Sequence, residues 1–251
     1  MATERNNDWD PESYASFRGL RLRPALDLLA QVGALPDGDV IDLGCGDGAV
    51  GPSLRKRFEG RTLVGVDNSA AMLAAAQGYD ALVPADVATW SPKTPPALIF
   101  SNACLHWLPD HASLLQRLIG LLPSGGTLAV QMPRQYAAPS HALLRKVAGV
   151  DEFTPPVAEP QVYLRLLQGA GEVRVWESDY LQSLPAVDQG HPVRHFTQST
   201  AMRPFVDKLS QSAEDDFLKA YEGALDVAYP KEPDGSVLFA FKRLFFVLRK
   251  S

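Results

Sequence analysis

The sequence predicts an α/β fold, a doubly wound and mostly parallel seven-stranded sheet with a helical cap inserted in the C-terminal half. Three observations predict it. Short apolar, β-rich runs alternate with helical patterns from about residue 20 to residue 131, the signature of βαβ units on a parallel sheet. The first such run ends in a glycine-rich turn, Asp42-Leu43-Gly44-Cys45-Gly46-Asp47-Gly48, and the next two end in Asp67 and Asp86. After Met132 the alternation breaks into short helical patterns around a Pro-rich link.

Each element follows in order. Residues 22–32 have helical spacing, and residues 40–44 read as a buried strand. Residues 49–58 form a helix whose outer face carries Arg55, Lys56 and Arg57; the basic stretch to Arg61 reads as a solvated face. Residues 62–67 make the second strand, after which Ser69 caps an Ala-rich helix. Strands follow at 81–86, 97–102 and 127–132, with an amphipathic helix over 110–122 between the last two. Beyond them come short helices at 141–150 and 161–168, a sixth strand at 173–176, a mostly helical and turn-rich stretch over 185–235, and a long final strand at 236–249. The expected organisation is one domain in four parts: a helical segment (1–34), a ligand-binding core (35–132), the cap (133–235) and the returning strand (236–251).

With 251 residues, 46% hydrophobic and 21% charged, the chain has the composition of a globular domain. The formal charge of -5 argues against an extended nucleic-acid surface, which is usually basic. The polar start has no apolar stretch of a secretory signal, and no apolar run reaches the ~18 residues of a membrane span. The expectation is a cytoplasmic monomer with two reduced thiols, Cys45 and Cys104, and no metal.

Glycines at a strand-to-helix joint let backbone N–H groups approach a ligand at the helix start. Gly44, Gly46 and Ala49 also satisfy the dinucleotide pattern G-x-G-x-x-G/A. Asp67, ~20 residues past the glycines and followed by Asn68, is placed to accept from both hydroxyls of a ribose. Asp86 can accept from an adenine amino group while the neighbouring Val87 N–H reads the ring and Met72 packs on its face. These residues favour an adenosine-containing ligand and leave its identity open.

Three acids at successive strand ends, after Asp-x-Gly-x-Gly-x-Gly, resemble the class I S-adenosylmethionine-dependent methyltransferases, which share a Rossmann-like fold. A narrower set is similar to the trans-aconitate 2-methyltransferase family: Trp-Asp-Pro-Glu-Ser-Tyr at 9–14, Arg-Leu-Arg-Pro at 21–24, Ser-Asn-Ala-Cys-Leu-His-Trp-Leu-Pro-Asp-His at 101–111, Ala-Val-Gln-Met-Pro at 129–133, Met-Arg-Pro-Phe at 202–205 and Phe-Lys-Arg-Leu-Phe at 241–245. The likeness runs from about Trp9 to the end. It departs from the family in His106, where a glutamine is familiar, and in Lys242, where a proline is expected.

The resemblance implies transfer of a methyl group from S-adenosylmethionine to a carboxylate of trans-aconitate or a similar small anionic polycarboxylate, releasing S-adenosylhomocysteine. It implies a cofactor site of Tyr14, Arg23, Gly44, Cys45, Gly46, Asp67, Asn68, Met72, Asp86, Val87, Asn102 and Ala103. His106 and Trp107 would position the transfer. A polycarboxylate entering a closed pocket must exchange its hydration for cations, and arginine presents the matching fork. Arg203 and Arg134 are the expected clamps, with Arg18, Arg21 and Arg243 as further possibilities. Two other readings stay open: methylation of a malonyl group on a carrier protein, and a nicotinamide-dependent oxidoreductase.

Overall fold

The structure is a computed structural model that describes the backbone of residues 18–198, 200–207 and 209–251, with side chains from Leu22 onward. The described chain divides into two compact units, residues 18–132 with 156–177 and 244–251, and residues 133–155 with 178–243. Seven strands form one sheet in the order β3-β2-β1-β4-β5-β7-β6.

In the first unit, helix α1 (Arg18–Ala30) precedes β1 (Val40–Leu43), α2 (Gly51–Arg57), β2 (Leu63–Asp67), α3 (Ala70–Ala75), β3 (Ala81–Pro84) and β4 (Leu98–Asn102). A 3₁₀ turn (Leu105–Trp107), α4 (His111–Leu121) and β5 (Thr127–Pro133) follow. Strands β1 to β5 are all parallel, with Asp42 level with Gly65 of β2 and Phe100 of β4. Strands β1 and β4 are buried almost throughout. A strand covered on both faces needs a continuous apolar run, which is why Val-Ile-Asp-Leu and Leu-Ile-Phe were readable. The single polar residue inside those runs, Asp42, is therefore informative. Helix α4 buries Leu114, Leu115, Leu118 and Ile119, and the Asp110 side chain caps it by accepting from the Ser113 N–H at 3.2 Å.

The unit is completed by α6 (Pro160–Leu167) and by parts of β6 (Gly171–Leu184) and β7 (Val237–Lys250). Gly125 N–H donates to Lys250 O, and Arg134 N–H donates to Lys242 O. These contacts run in opposite chain directions, so β7 is antiparallel to β5 and the sheet is mixed. Strand β6 is 14 residues long, not the four expected. As an edge strand it exposes Glu172 and Arg174, then Asp179, Leu181 and Ser183 in the opposite phase, and these two broken alternations hid it from a search for apolar runs.

In the second unit, α5 (Pro139–Val147) packs against α9 (Gln211–Ala228), with α7 (Pro192–Gln198) and the short α8 (Arg203–Val206) between them in sequence. Tyr221 is buried and donates to Ser140 O at 2.8 Å, while Tyr229 Oη accepts from Ser140 N–H at 3.1 Å. Phe196, Phe239 and Phe241 form an aromatic cluster. Among the described residues no helix is long and apolar enough to cross a membrane.

The basic stretch corrects an expectation in part: Lys56 and Arg57 are exposed as expected, while Arg55 and Arg61 are half-buried. Arg61 donates to Pro36 O at 2.6 Å, Gly38 O at 3.0 Å and Leu35 O at 3.2 Å. Arg57 reaches Val32 O, and Arg55 reaches Arg61 O and Asp80. These arginines supply the donors that an irregular segment cannot find in a ladder, so they are not merely solvated.

Candidate functional site

The parallel strand order reverses between β1 and β4, and in open α/β sheets ligands bind outside the carboxyl ends of the strands at that reversal. The chain leaving β1 makes the glycine turn there. Val66 O accepts from Gly44 N–H at 2.8 Å and Cys45 N–H at 3.0 Å. Gly44 and Gly46 have φ of 79° and 54°, which favours glycine at both. At Gly44 space agrees with conformation, because a Cβ would collide with Cys104 Sγ and Cβ. The chain leaving β4 is held by Ala103 N–H, which donates to Gln131 O at 2.9 Å while Ala103 takes φ 52°.

Asp67 is fixed by the backbone around it. Its two oxygens accept from Gly46 N–H and Ser69 N–H, each at 2.9 Å. An ionised carboxylate offers about four acceptor positions, so roughly half remain for a ligand. Asp86 is exposed and accepts from Ala88 N–H at 2.8 Å, next to buried Val87. Arg117 braces this corner by donating to Val87 O and Trp90 O, both at 2.6 Å. Ser69 Oγ caps α3 by accepting from Met72 N–H, and Met72 is buried in that helix; Asn68 is exposed.

Asp42 is 1% exposed and accepts from the Tyr79 hydroxyl at 2.6 Å. Burial pushes its carboxyl up to about 7 against the lowering effect of that bond, and Asp67 adds repulsion. Burial, reinforced by Asp67, likewise raises the Cys104 thiol to about 12, and burial raises Cys45. Neither is an activated nucleophile at neutral pH.

Asn102 ends β4, and its Oδ1 is buried with no hydrogen-bond partner. An unmet buried acceptor beside the strand reversal fits a ligand that brings an N–H donor. His106 is 9% exposed and lies beside Trp107, with ring centroids 4.6 Å apart; Trp107 is 49% exposed. Their turn is held from behind. His111 Nε2 faces Leu105 O at 2.9 Å, which requires the proton on Nε2, so Nδ1 accepts from the Tyr163 hydroxyl at 2.6 Å. Tyr163 is fully buried and stacked on Phe246.

The structure thus gathers Gly44, Cys45, Gly46, Asp67, Asn102 and Ala103 around the turn. Tyr14 and the side chains of Arg18 and Arg21 lie outside the described residues. Arg23 has 75% of its side chain exposed and pairs with Asp27 at 3.8 Å. Arg134, Arg203 and Arg243 belong to the second unit. Arg203 forms an ion pair with Asp207 at 3.7 Å, and Arg243 is buried over the Phe241 ring at 4.4 Å. Sequence reasoning missed Tyr79, Arg117 and the Tyr163–His111 pair. Only the interrupted apolar run at Asp42 signalled that a buried partner was needed.

Comparison with known proteins places this geometry. Residues 14–182 match the family model described as a methyltransferase domain. The chain is 40% identical to the trans-aconitate 2-methyltransferase of Methylobacterium radiotolerans, over 97% of this chain and 99% of the relative. It is 37% identical to that of Escherichia coli O7:K1, over 98% and 99%. Among solved structures, a putative methyltransferase from Bacillus halodurans aligns with a TM-score of 0.57 at 13% identity, over 91% of this chain and 99% of that one. Haemonchus contortus phosphoethanolamine N-methyltransferase 2, solved with S-adenosylhomocysteine, aligns at 0.55 and 17%, over 91% and 53%. The last two share the fold. From the family model and the near-full-length relatives, the chain belongs to the methyltransferase-domain family and, within it, to the trans-aconitate 2-methyltransferases.

Proposed function

We propose that this chain is an S-adenosylmethionine-dependent carboxyl O-methyltransferase acting on trans-aconitate or a closely similar small polycarboxylate. The observation that carries the reading is identity of 37–42% to trans-aconitate 2-methyltransferases over nearly the whole of both chains.

The bound cofactor supplies an electrophilic methyl group on a sulfonium sulfur. The chain's own residues hold and orient the partners. Asp67 offers its remaining acceptor positions to ribose hydroxyls, with Asn68 beside it. Asp86 and the Val87 N–H read the adenine, and Met72 packs against it. The unmet Oδ1 of Asn102 takes the ammonium of the amino-acid end, with Ala103 alongside, while the backbone of Cys45 and Gly46, whose N–H groups already serve Val66 O and Asp67, lines the approach. A substrate carboxylate is already ionised near neutral pH, so its oxygen needs no general base to attack the methyl carbon as the carbon–sulfur pair returns to sulfur. His106 and Trp107 therefore wall and orient the acid. Arg203 and Arg134 take the carboxylates that do not react. Alignment of the reacting oxygen provides most of the acceleration, and the charge of the attacking carboxylate is cancelled as the ester forms.

Incubation with S-adenosylmethionine and a panel of di- and tricarboxylic acids, with malonyl-loaded carrier protein included, tests the reading. Mass analysis should find one added methylene on trans-aconitate. Product only on the carrier, or none on any acid, would overturn it.

A further inference from the structure

Tyr79 lies between α3 and β3, where no chemistry was expected. Its ring occupies space that three glycines leave open. A Cβ on Gly48 would lie 3.1 Å from Tyr79 Cε2, one on Gly51 2.9 Å from Cε2 and Cζ, and one on Gly65 3.1 Å from Cδ1. Gly48 closes the glycine turn, Gly51 starts α2 and Gly65 sits inside β2. A glycine inside a strand weakens it and often marks a close approach by another group; at Gly65 the ring shares that space with Leu82 Cδ2 at 2.9 Å and Cys45 Sγ at 3.0 Å. The hydroxyl of the same residue donates at 2.6 Å to Asp42, the buried acid one residue before the end of β1. A carboxyl at that depth is costly without a donor. One side chain therefore touches the strand before the turn, the last glycine of the turn, the helix after it and the strand beside it.

We propose that Tyr79 is a positioning residue for the cofactor turn, setting the path of residues 44–48 by filling the three-glycine cradle and by bonding Asp42. The inference rests on the reading that this turn holds the cofactor.

Two substitutions separate the parts. Tyr79→Phe keeps the ring and removes the donor. Gly51→Ala keeps Asp42 and the hydroxyl and drives a methyl group into the ring, at a helix position where alanine alone is favourable. Calorimetry with S-adenosylhomocysteine should show each variant binding about tenfold or more weakly, the factor that ~1.4 kcal/mol represents. Thermal melts run alongside. The double variant Asp42→Leu with Tyr79→Phe replaces both buried polar partners by apolar groups, so it should melt near wild type and still bind weakly. Tyr79→Phe or the double variant with wild-type affinity, while Asp67→Ala loses affinity, would overturn the role of Tyr79 and leave the turn as the cofactor site. Wild-type affinity in Asp67→Ala as well would overturn both.

Discussion

The two units use their charged side chains differently. In the first, charges bind backbone: Asp67 takes the N–H groups of Gly46 and Ser69, Asp80 takes that of Leu63, Arg61 gathers three carbonyls and Arg117 two. The first unit also holds the pairs Arg23–Asp27 and Arg55–Asp80; in the second, pairing dominates, Arg194 with Glu222 at 2.7 Å, where Glu222 also takes the His191 N–H, and Arg203 with Asp207 at 3.7 Å. A charge bonded to backbone fixes the path of the chain. A solvent-accessible ion pair such as Arg203–Asp207 fixes little and is worth roughly 0–1 kcal/mol. The contrast teaches where preorganisation resides: the proposed cofactor site is held by hydrogen bonds to the main chain, while the proposed substrate cation Arg203 has a carboxylate partner that a carboxylate ligand can replace.

The largest effect expected from this contrast is at Arg203. Arg203→Ala should lower kcat/KM for trans-aconitate ~30-fold or more, the low end of the 2–5 kcal/mol lost with a desolvated charge pair. Affinity for S-adenosylhomocysteine should be unchanged. Asp207→Ala should leave turnover near wild type, because the ligand, not Asp207, is the functional partner. Equal and small effects of the two substitutions would reduce Arg203 to a surface pair.

Next in size is Asp67→Ala, which removes a charge-assisted acceptor worth about 1.5–3 kcal/mol. Calorimetry should show a loss of S-adenosylhomocysteine affinity of that order, with NAD not binding to either protein. Binding of NAD by the unmodified chain would revive the dinucleotide reading of the glycine turn.

Asp42 gives a pH dependence. Its carboxyl titrates near 7 when folded, against 3.8 as the ordinary value. A raised acid is favoured in its neutral form by folding, so its contribution to stability is greatest below about 4. That contribution falls as pH rises towards 7 and is flat above, by at most about 1.4 kcal/mol per unit of separation. Asp42→Asn lacks this titration. Urea unfolding at pH 5 and pH 8 should show the variant gaining on wild type as pH rises, and the opposite trend would place an ionised Asp42 in a favourable site. The smallest effect expected is at His106. His106→Ala should slow steady-state turnover by less than the ~10²–10⁴-fold typical of losing a general base; a loss in that range with both affinities intact would assign proton transfer to it.

These features were legible to different degrees, for physical reasons. Covered parallel strands demand continuous apolar runs, and a turn that passes close to its neighbours demands glycine, so β1, β2, β4, β5 and residues 44–48 were readable, while β3, at the exposed sheet edge, was read from Ala-Leu-Val alone. Asp67 was readable because its distance from the glycines is set by one βαβ unit. Tyr79 was not, since a tyrosine near a strand start has no local signature, and its importance comes from glycines 14 to 31 positions away. The length of β6 was hidden by the broken alternation of an edge. The roles of Arg55, Arg57 and Arg61 were misjudged because helical spacing shows which face a side chain leaves from, and these long side chains fold back onto carbonyls.

The packing of Gly44 against Cys104 also makes the thiol a kinetic reporter. With its ionisation pushed up to about 12, Cys104 holds almost no thiolate at neutral pH, and its sulfur sits over the position where Gly44 lacks a side chain. The thiol is half-buried, so its alkylation is slow, and a ligand seated at the strand reversal would slow it further without touching the sulfur.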